Sequence, residues 1–484
     1  MNADIEVDGS LDLLRGIVWL VLSGMVVWSL AILDPALQMA FYFCALGILV
    51  LFFFFDIVQN RNRDISVYLF LPLFLSAVQN LLLGFVAPYA SAGQIQSMTV
   101  ANIVYACAIT GALALWDPRP LSENRAFIAV TGTAGLSIYA AVAYLLLGGD
   151  LISVLASLRN VITPFVFFLL GLLAARVTSR RTLFLYISAL AWFTILFGIL
   201  ERFAFPDLWK WLNIAELWQK KGIPNIHPEL GVPANFYSSE YIGGMHVRRM
   251  VSSYADAVNF GTTLVLFMLV AWYCGRKWLA LAAAVAIVLA ISKGGLIGIL
   301  VFLVTWAYFN REKTIFPVVT ACALGLAAAF IYYSLNFSSR SMVAHFNGLL
   351  AALIELPAHP FGRGLGNLGV LAGLFSRGQE SEIAETGLGM IIGQLGVAGI
   401  LFYGAFFARI FLDLRSIPYV RAKTFGFCIF WSITLNIAFN EVALSPNSAA
   451  GSFLVLGLLC AWRGSLAGRK EAIDDVGLRK AGHA

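Results

Sequence analysis

Two adjacent arginines, Arg248 and Arg249, lie in the stretch HVRRMVSSYADAVNFG, just before an apolar run that begins near Ala257. A guanidinium group stays charged at physiological pH and presents a planar fork of N–H donors. Such a fork binds two oxygens of a phosphate group at once. At the mouth of an apolar segment, the two arginines are therefore candidates for holding a lipid-linked phosphate. The alternatives are contact with bilayer headgroups, or ion pairs with Glu240 and Asp256.

Further basic residues stand in other polar stretches of the chain. Lys293, in AISKGGLIG, falls at a turn between two apolar runs, and three arginines belong to the polar segment 335–384. We expect these cations to converge on one anionic ligand, although each one can equally be an ordinary surface charge. The three arginines are Arg340, Arg363 and Arg377.

Carboxylates and histidines in the polar segments supply candidates for a general base. The cluster GQESEIAETG carries Glu380, Glu382 and Glu385 immediately ahead of an apolar run. An ionisable residue at the mouth of a span costs desolvation energy and is a functional candidate by default. Glu382 and Glu385 are closest to the run, so they are our candidate bases; a hydrated acidic turn or a helix cap is the alternative. The histidines are His227, His246, His345 and His359.

Several common catalytic motifs are missing from the sequence. It contains no HExxH, no GxxxxGK[ST] and no G-x-S-x-G, which argues against zinc hydrolysis, ATP use and serine acyl transfer. A literal G-x-G-x-x-G spans Gly364 to Gly369, but neither a preceding strand nor a following βαβ unit supports dinucleotide binding. This stretch is either a flexible turn or a set of backbone amides for a phosphate. We expect no cofactor and no metal.

The elements that must position these residues are membrane helices. Of 484 residues, 60% are hydrophobic and 12% charged, which is far too little polar surface for a soluble globule. A helix needs roughly 20 apolar residues to cross a bilayer, and we predict about fourteen such spans, or twelve at the least. They are residues 16–33, 36–57, 66–87, 97–115, 126–147, 159–176, 182–204, 257–274, 278–292, 294–309, 314–334, 385–408, 422–443 and 448–462.

The amino terminus and the cysteines fit this class of protein. The start, MNADIEVDGSLD, is acidic and has no small-residue cleavage site, so we expect the first span to be retained. All six cysteines fall inside apolar runs, which favours packing over disulfides or thiolate metal sites. They are Cys44, Cys107, Cys274, Cys322, Cys428 and Cys460.

Basic residues concentrate in the short connections after every even-numbered span. The positive-inside rule then places these connections and both termini in the cytoplasm. The same parity places the two long polar segments, 205–256 and 335–384, on the outer face. The basic residues are Arg61, Arg63, Arg119, Arg125, Arg176, Arg180, Arg181, Arg276, Lys277, Arg311, Lys313, Arg409, Arg415, Arg421, Lys423, Arg463, Arg469 and Lys470.

The chain thus divides into three helical regions, 1–204, 257–334 and 385–462, two outer loops and a cytoplasmic tail, 463–484. In the first loop, DLWKWLNIAELWQKKG predicts a helix with an apolar stripe. That helix lies either in the membrane interface or as a cap on the bundle. In the second loop, residues 341–355 predict an amphipathic helix that ends before two prolines. The predicted stripe is Leu208, Trp211, Leu212, Ala215 and Trp218.

Several stretches together resemble a known family. RRMVSSYADAVNFGTTLVLFMLV and ISKGGLIGILV resemble the entry to a span and the S-R/K-G-G element of the O-antigen ligase and polysaccharide polymerase superfamily. LIELPAHPFGRGLGNLG and AETGLGMIIGQLGVAGILFYG resemble its proline-glycine and closing segments. The four stretches occur in family order between residue 248 and about residue 405, roughly a third of the chain.

The resemblance implies an all-helical, GT-C-like bundle in the bacterial inner membrane. It implies a metal-independent glycosyl transfer from undecaprenyl diphosphate to a sugar hydroxyl of an acceptor glycan. Arg249, with Arg248, matches the diphosphate-binding arginine, and Lys293 the second basic position; Arg340 and Arg363 complete our predicted binding set. The partners implied are the lipid-linked glycan, the acceptor, the bilayer and a chain-length regulator, with no nucleic acid.

The sequence departs from the family pattern at two positions. Ligases commonly carry a histidine before the closing span, where this sequence has EIAETG, and Ala257 stands where a proline is usual. The missing histidine favours a polysaccharide polymerase over a ligase and leaves Glu382 or Glu385 as the base. A flippase or exporter of lipid-linked sugars is the third hypothesis. It requires charges deep within several spans, whereas Asp56, Asp117 and Glu201 lie near predicted span ends.

Overall fold

A computed structural model describes residues 51, 53–58, 64–147, 151–222, 226–227, 230–242, 245–310, 315–337, 339–368 and 386–467 of the chain. Over these residues the protein is a bundle of α-helices with one short β-hairpin. Six of the described helices are long and apolar enough to cross a bilayer. The protein is therefore a multi-pass membrane protein with an all-α fold, as its composition predicts. The first predicted span and most of the second lie outside the described residues.

The helices follow the predicted spans closely from the third span onward. The first six are α1 Ser66–Val86, α2 Ala92–Met98, α3 Ala101–Trp116, α4 Asn124–Leu147, α5 Leu151–Ala174 and α6 Arg180–Ile199, which ends in a π-turn, Leu200–Ala204. The long polar segment 205–256 holds α7 Leu208–Trp211, α8 Ile214–Lys220 and the strands β1 Tyr237–Ile242 and β2 Met245–Arg248. The rest are α9 Ala257–Tyr273, α10 Lys277–Leu289, α11 Lys293–Phe309, α12 Ile315–Phe337, α13 Ser339–Glu355, α14 Gly387–Arg415, α15 Val420–Phe439 and α16 Pro446–Ala467.

The predicted start of one helix is wrong, and the error changes the position of Arg159 in that helix. The span expected to begin at residue 159 is a helix from Leu151. Arg159 therefore lies about two turns inside α5 rather than at its start. The predicted span 97–115 also begins in a separate short helix, because the chain turns between α2 and α3.

Small residues let the central helices approach closely. A Cβ on Gly171 of α5 would lie 2.2 Å from the carbonyl oxygen of Leu454, and one on Gly457 of α16 would lie 2.1 Å from that of Phe168. Glycines at such crossings bring membrane helices into backbone contact. Aromatic rings fill the space beside this crossing, with Phe165 and Phe406 centred 4.4 Å apart. The pair α5–α16 thus forms the rigid centre of the bundle.

The short basic connections meet at one end of the bundle. Arg176 pairs with Asp117 at 3.0 Å, and Arg125 donates to the carbonyl of Cys460 near the end of α16. The guanidinium of Arg180 lies 4.8 Å from the ring centre of Trp462. These contacts join the ends of α3, α4, α5, α6 and α16. The long polar segments attach to the opposite ends of the helices, as the loop pattern predicts.

The segment after α6 is a cap packed on the bundle, and the predicted single stripe is wrong. Asn213 adopts a left-handed conformation, with φ 52°, and divides the segment into α7 and α8. This break rotates the buried face, so that Trp209 is fully buried and Trp211 is 72% exposed. The buried side chains pack on the C-terminal end of α1 and on α2. They are Trp209, Leu212, Ile214, Leu217 and Trp218, against Leu83, Ala87, Ile95 and Met98.

The helix predicted at residues 341–355 is α13, which begins two residues earlier. The chain beyond it packs against a break in α14, where Gly396 has φ 60° and ψ −140°. The amides of Arg363 and Gly364 donate to the carbonyls of Gly393 and Gln394, at 2.8 and 3.2 Å. These two amides of the glycine-rich stretch therefore complete a broken helix. Any phosphate cradle would have to use others.

The described cysteines are free thiols. They are Cys107, Cys274, Cys322, Cys428 and Cys460.

Candidate functional site

Arg248 is held by a buried carboxylate. Its Nη2 lies 3.0 Å from Oε2 of Glu201, whose side chain is fully buried, while that of Arg248 is 17% exposed. The other carboxylate oxygen, Oε1, accepts the amides of Val251 and Ser252 at 2.9 and 3.2 Å. The guanidinium also lies 4.8 Å from the ring centre of Phe236. Arg248 therefore positions the turn after β2 against the π-turn of α6, and its partner is neither of the two acids considered from the sequence.

Arg249 binds the carbonyl end of α10. Its Nε donates to Ala290 at 2.9 Å and its Nη2 to Ile291 at 3.3 Å, while Nη1 donates to the carbonyl of Asn235 at 3.3 Å. The last carbonyls of a helix lack partners within the helix and carry its negative dipole end. A cation there is well placed, and Arg249 is fixed beside the turn that leads into α11. Lys293 is the first residue of α11, so the structure brings Arg249 to the turn that carries Lys293.

The remaining predicted residues are distributed differently. Arg363 pairs with Glu355 at 2.7 Å, beside the break in α14, and is 36% exposed. Arg340 lies in the first turn of α13. No contact joins Arg363 to Arg249 within the described part of the chain. The candidate bases Glu382 and Glu385, and Arg377, lie outside the described residues.

Two cations that were not predicted from the sequence lie near each other at the end of the bundle that carries the cap. Arg159 of α5 donates to the carbonyl of Thr99 at 3.0 Å and to Oδ1 of Asn160 at 3.1 and 3.3 Å. Lys221, just after α8, donates to Oδ1 of Asn80 on α1. Both side chains are half-buried. An arginine inside an apolar helix can be recognised from the sequence as a candidate for such a site. Lys221 cannot be recognised in this way, because only the folding of the cap places it beside α1.

The charges of Arg159 and Lys221 act on each other. Burial, followed by the positive charge of Arg159, lowers the pKa of Lys221 from its usual 10.5 to about 7, against a smaller opposing effect of Asp256. No carboxylate among the described residues lies within salt-bridge distance of either cation.

Asp256 is linked to Arg249 through Asn235. Asp256 caps α9 by accepting the amides of Val258 and Asn259, at 3.2 and 3.1 Å. It also accepts Nδ2 of Asn235 at 3.0 Å, and the carbonyl of that asparagine receives Arg249. The negative charge of Asp256 also acts on Lys221, although the two side chains form no ion pair.

The arrangement suits binding of a multiply charged anion. Arginine and lysine residues come to one end of the bundle from α5, the cap, β2 and the turn after it, and α11. Among the described residues, no cluster of histidine, cysteine and acidic side chains could hold a metal ion. What this site can do is bind and stabilise negative charge at the end of the bundle opposite to the short basic loops.

Comparison of the chain with family models and with curated proteins finds no match.

Proposed function

We propose that this protein is a polymerase of a bacterial surface polysaccharide, acting on glycans carried by undecaprenyl diphosphate at the outer face of the inner membrane. The observation that supports it best is the gathering of half-buried cations from separate segments at one end of a membrane bundle. Burying such charges is costly unless an anion or a hydrogen-bonding partner is supplied. A diphosphate attached to a membrane lipid would bring that negative charge to this depth.

The proposed reaction is one glycosyl transfer. The hydroxyl oxygen of an acceptor sugar forms a bond to the anomeric carbon of the donor glycan, and the bond from that carbon to the diphosphate oxygen breaks. The electron pair leaves with the lipid diphosphate, and the hydroxyl proton passes to a base, for which Glu382 and Glu385 remain the candidates. Charge develops on the leaving diphosphate, so preplaced cations such as Arg249 and Lys293 favour the transition state.

A ligase that transfers a finished glycan to lipid A core or to a protein is the second candidate. It would use the same donor and the same cations, and it differs only in the acceptor. The stretch EIAETG, which has no histidine, favours the polymerase. Products separate the two activities: loss of a polymerase leaves single lipid-linked repeats, whereas loss of a ligase leaves long lipid-linked chains.

Purified protein should convert lipid-linked repeats in detergent. We expect elongated glycans and one undecaprenyl diphosphate released per bond formed, measured by mass spectrometry of the lipid and glycan products. A flippase would need a sealed bilayer to show activity, so turnover in micelles excludes it. Absence of released undecaprenyl diphosphate, with folded protein and both substrates present, would contradict the proposal.

A further inference from the structure

The cations at this end of the bundle differ in their ion-pair and hydrogen-bond partners. Arg248 has a full ion pair with Glu201, and three N–H groups of Arg249 are used by backbone carbonyls. Arg159 and Lys221 have only neutral hydrogen-bond partners among the described residues: the carbonyl of Thr99 and the amide oxygens of Asn160 and Asn80. The second pair is therefore the one that has no ion-pair partner among the described residues.

The two cations have N–H groups left over for a ligand. An arginine has five N–H donors and a lysine three, and the described contacts use three of those on Arg159 and one on Lys221. Two donors on each side chain therefore remain without a hydrogen-bond partner among the described residues, and Nζ of Lys221 also lies 5.2 Å from the ring centre of Trp218. A phosphate oxygen accepts such donors in short, charge-assisted bonds.

Lys221 is the member of the pair that can relieve the repulsion. Guanidinium cannot lose its proton in a protein, whereas the pKa of Lys221 is lowered to about 7 by burial and by Arg159. Near pH 8 the empty site is then mostly Arg159 as a cation beside a neutral amine. A bound dianion restores the charged form, because opposite charge favours protonation of the amine.

The other charged groups around Lys221 leave this conclusion intact. Asp256, at the N-terminus of α9, raises the pKa of Lys221, but its effect is smaller than that of Arg159. On α8 itself, Lys220 is paired with Glu216 at 2.7 Å and donates to the carbonyl of Ala87 at 2.5 Å. On the side of α1 the partner is Asn80, a neutral amide.

We infer that the diphosphate of the lipid-linked donor binds between Arg159 and Lys221, and that Lys221 takes up one proton from solvent when it binds. This inference rests on the proposed function for the identity of the ligand. It makes donor binding weaken as the pH rises above neutrality, and it assigns the anion site to residues 159 and 221 in addition to the Arg249 turn.

The test is calorimetry with the full chain in detergent and farnesyl diphosphate as the probe, with farnesol as the uncharged reference. Titrations in buffers of different ionisation enthalpy give the number of protons taken up. At pH 8 we expect about one more proton per bound diphosphate in the wild type than in Lys221→Arg, whose side chain stays charged. The wild-type affinity should fall about tenfold for each pH unit above 7.

Matched variants identify the residues responsible. Lys221→Ala and Arg159→Gln should each weaken farnesyl diphosphate binding at pH 7 by tenfold or more, to the order expected for a lost charged hydrogen bond. Lys210→Ala is the control, because Lys210 lies in the same cap, is 45% exposed and pairs with Asp207; its affinity should be unchanged.

The outcomes separate this inference from the proposed function. Binding of farnesyl diphosphate no tighter than farnesol would contradict both. Tight binding with equal proton uptake in the wild type and in Lys221→Arg, or with a pH-independent wild-type affinity, would overturn the inference and leave the proposed function standing.

Discussion

Replacing Arg249 by alanine should abolish polymer and leave single lipid-linked repeats in the membrane. Arg249 is fixed by three carbonyls at the turn that leads to Lys293. A cation placed at the developing charge of a leaving group is worth roughly 100-fold to 1,000-fold in turnover when removed. The measurement is the ladder of glycan lengths and the amount of lipid-linked repeat in cells that express the variant.

The control for this variant is an arginine at the other end of the bundle. Arg119 is 79% exposed and shares Asp117 with Arg176, so Arg119→Ala should keep the wild-type glycan ladder. The protein level and the elution profile in detergent establish that each variant is folded. Normal chain lengths from folded Arg249→Ala protein would refute the role that we assign to this residue.

Replacing Arg248 by alanine should destabilise the fold more than it changes the chemistry. The variant leaves the fully buried carboxylate of Glu201 without its partner. Removing one member of a buried ion pair costs about 3–5 kcal/mol. We expect a clear fall in the melting temperature of the detergent-purified protein, measured by size-exclusion chromatography after heating.

A second substitution at Glu201 tests the cause of that loss. In the Arg248→Ala background, Glu201→Gln removes the unpaired charge but keeps an acceptor for the amides of Val251 and Ser252. The double variant should therefore have a higher melting temperature than Arg248→Ala alone. Lys210→Ala, which breaks the exposed pair with Asp207, should change stability by about 0.5 kcal/mol or less. An unchanged melting temperature for Arg248→Ala would show that the ion pair with Glu201 does not stabilise the fold.

The helices could be predicted from the sequence because hydropathy is a local signal. Twenty apolar residues between polar turns define a span whatever else the chain does, and the described helices from Ser66 onward follow the predicted runs. Local patterns failed where one residue changed the backbone. Asn213 in a left-handed conformation converts one predicted amphipathic helix into two short ones and exposes Trp211.

The site could be predicted only in part, because its pairings join distant residues. The adjacent arginines are visible in the sequence, but the partner of Arg248 lies 47 positions away, at Glu201. Arg159 is visible in the sequence as a charge beside an apolar run. Because the predicted span began at residue 159, this arginine was placed at the end of a span and not inside a helix. Its neighbour Lys221 comes from the cap, and the local sequence QKKG does not show that the cap packs on α1 and α2.

We expect these cations to face outward, on the side where we propose that lipid-linked glycans are polymerised. Labelling of introduced cysteines in cells with a permeabilised outer membrane tests this orientation directly. Labelling of the native cysteines in the unsubstituted protein is subtracted as background. Lys210 lies in the cap and Arg119 at the opposite end, and both are exposed, at 45% and 79%. The account predicts that a membrane-impermeant maleimide labels Lys210→Cys before lysis and Arg119→Cys only after it. Labelling in the reverse order would place the cations in the cytoplasm and contradict the account.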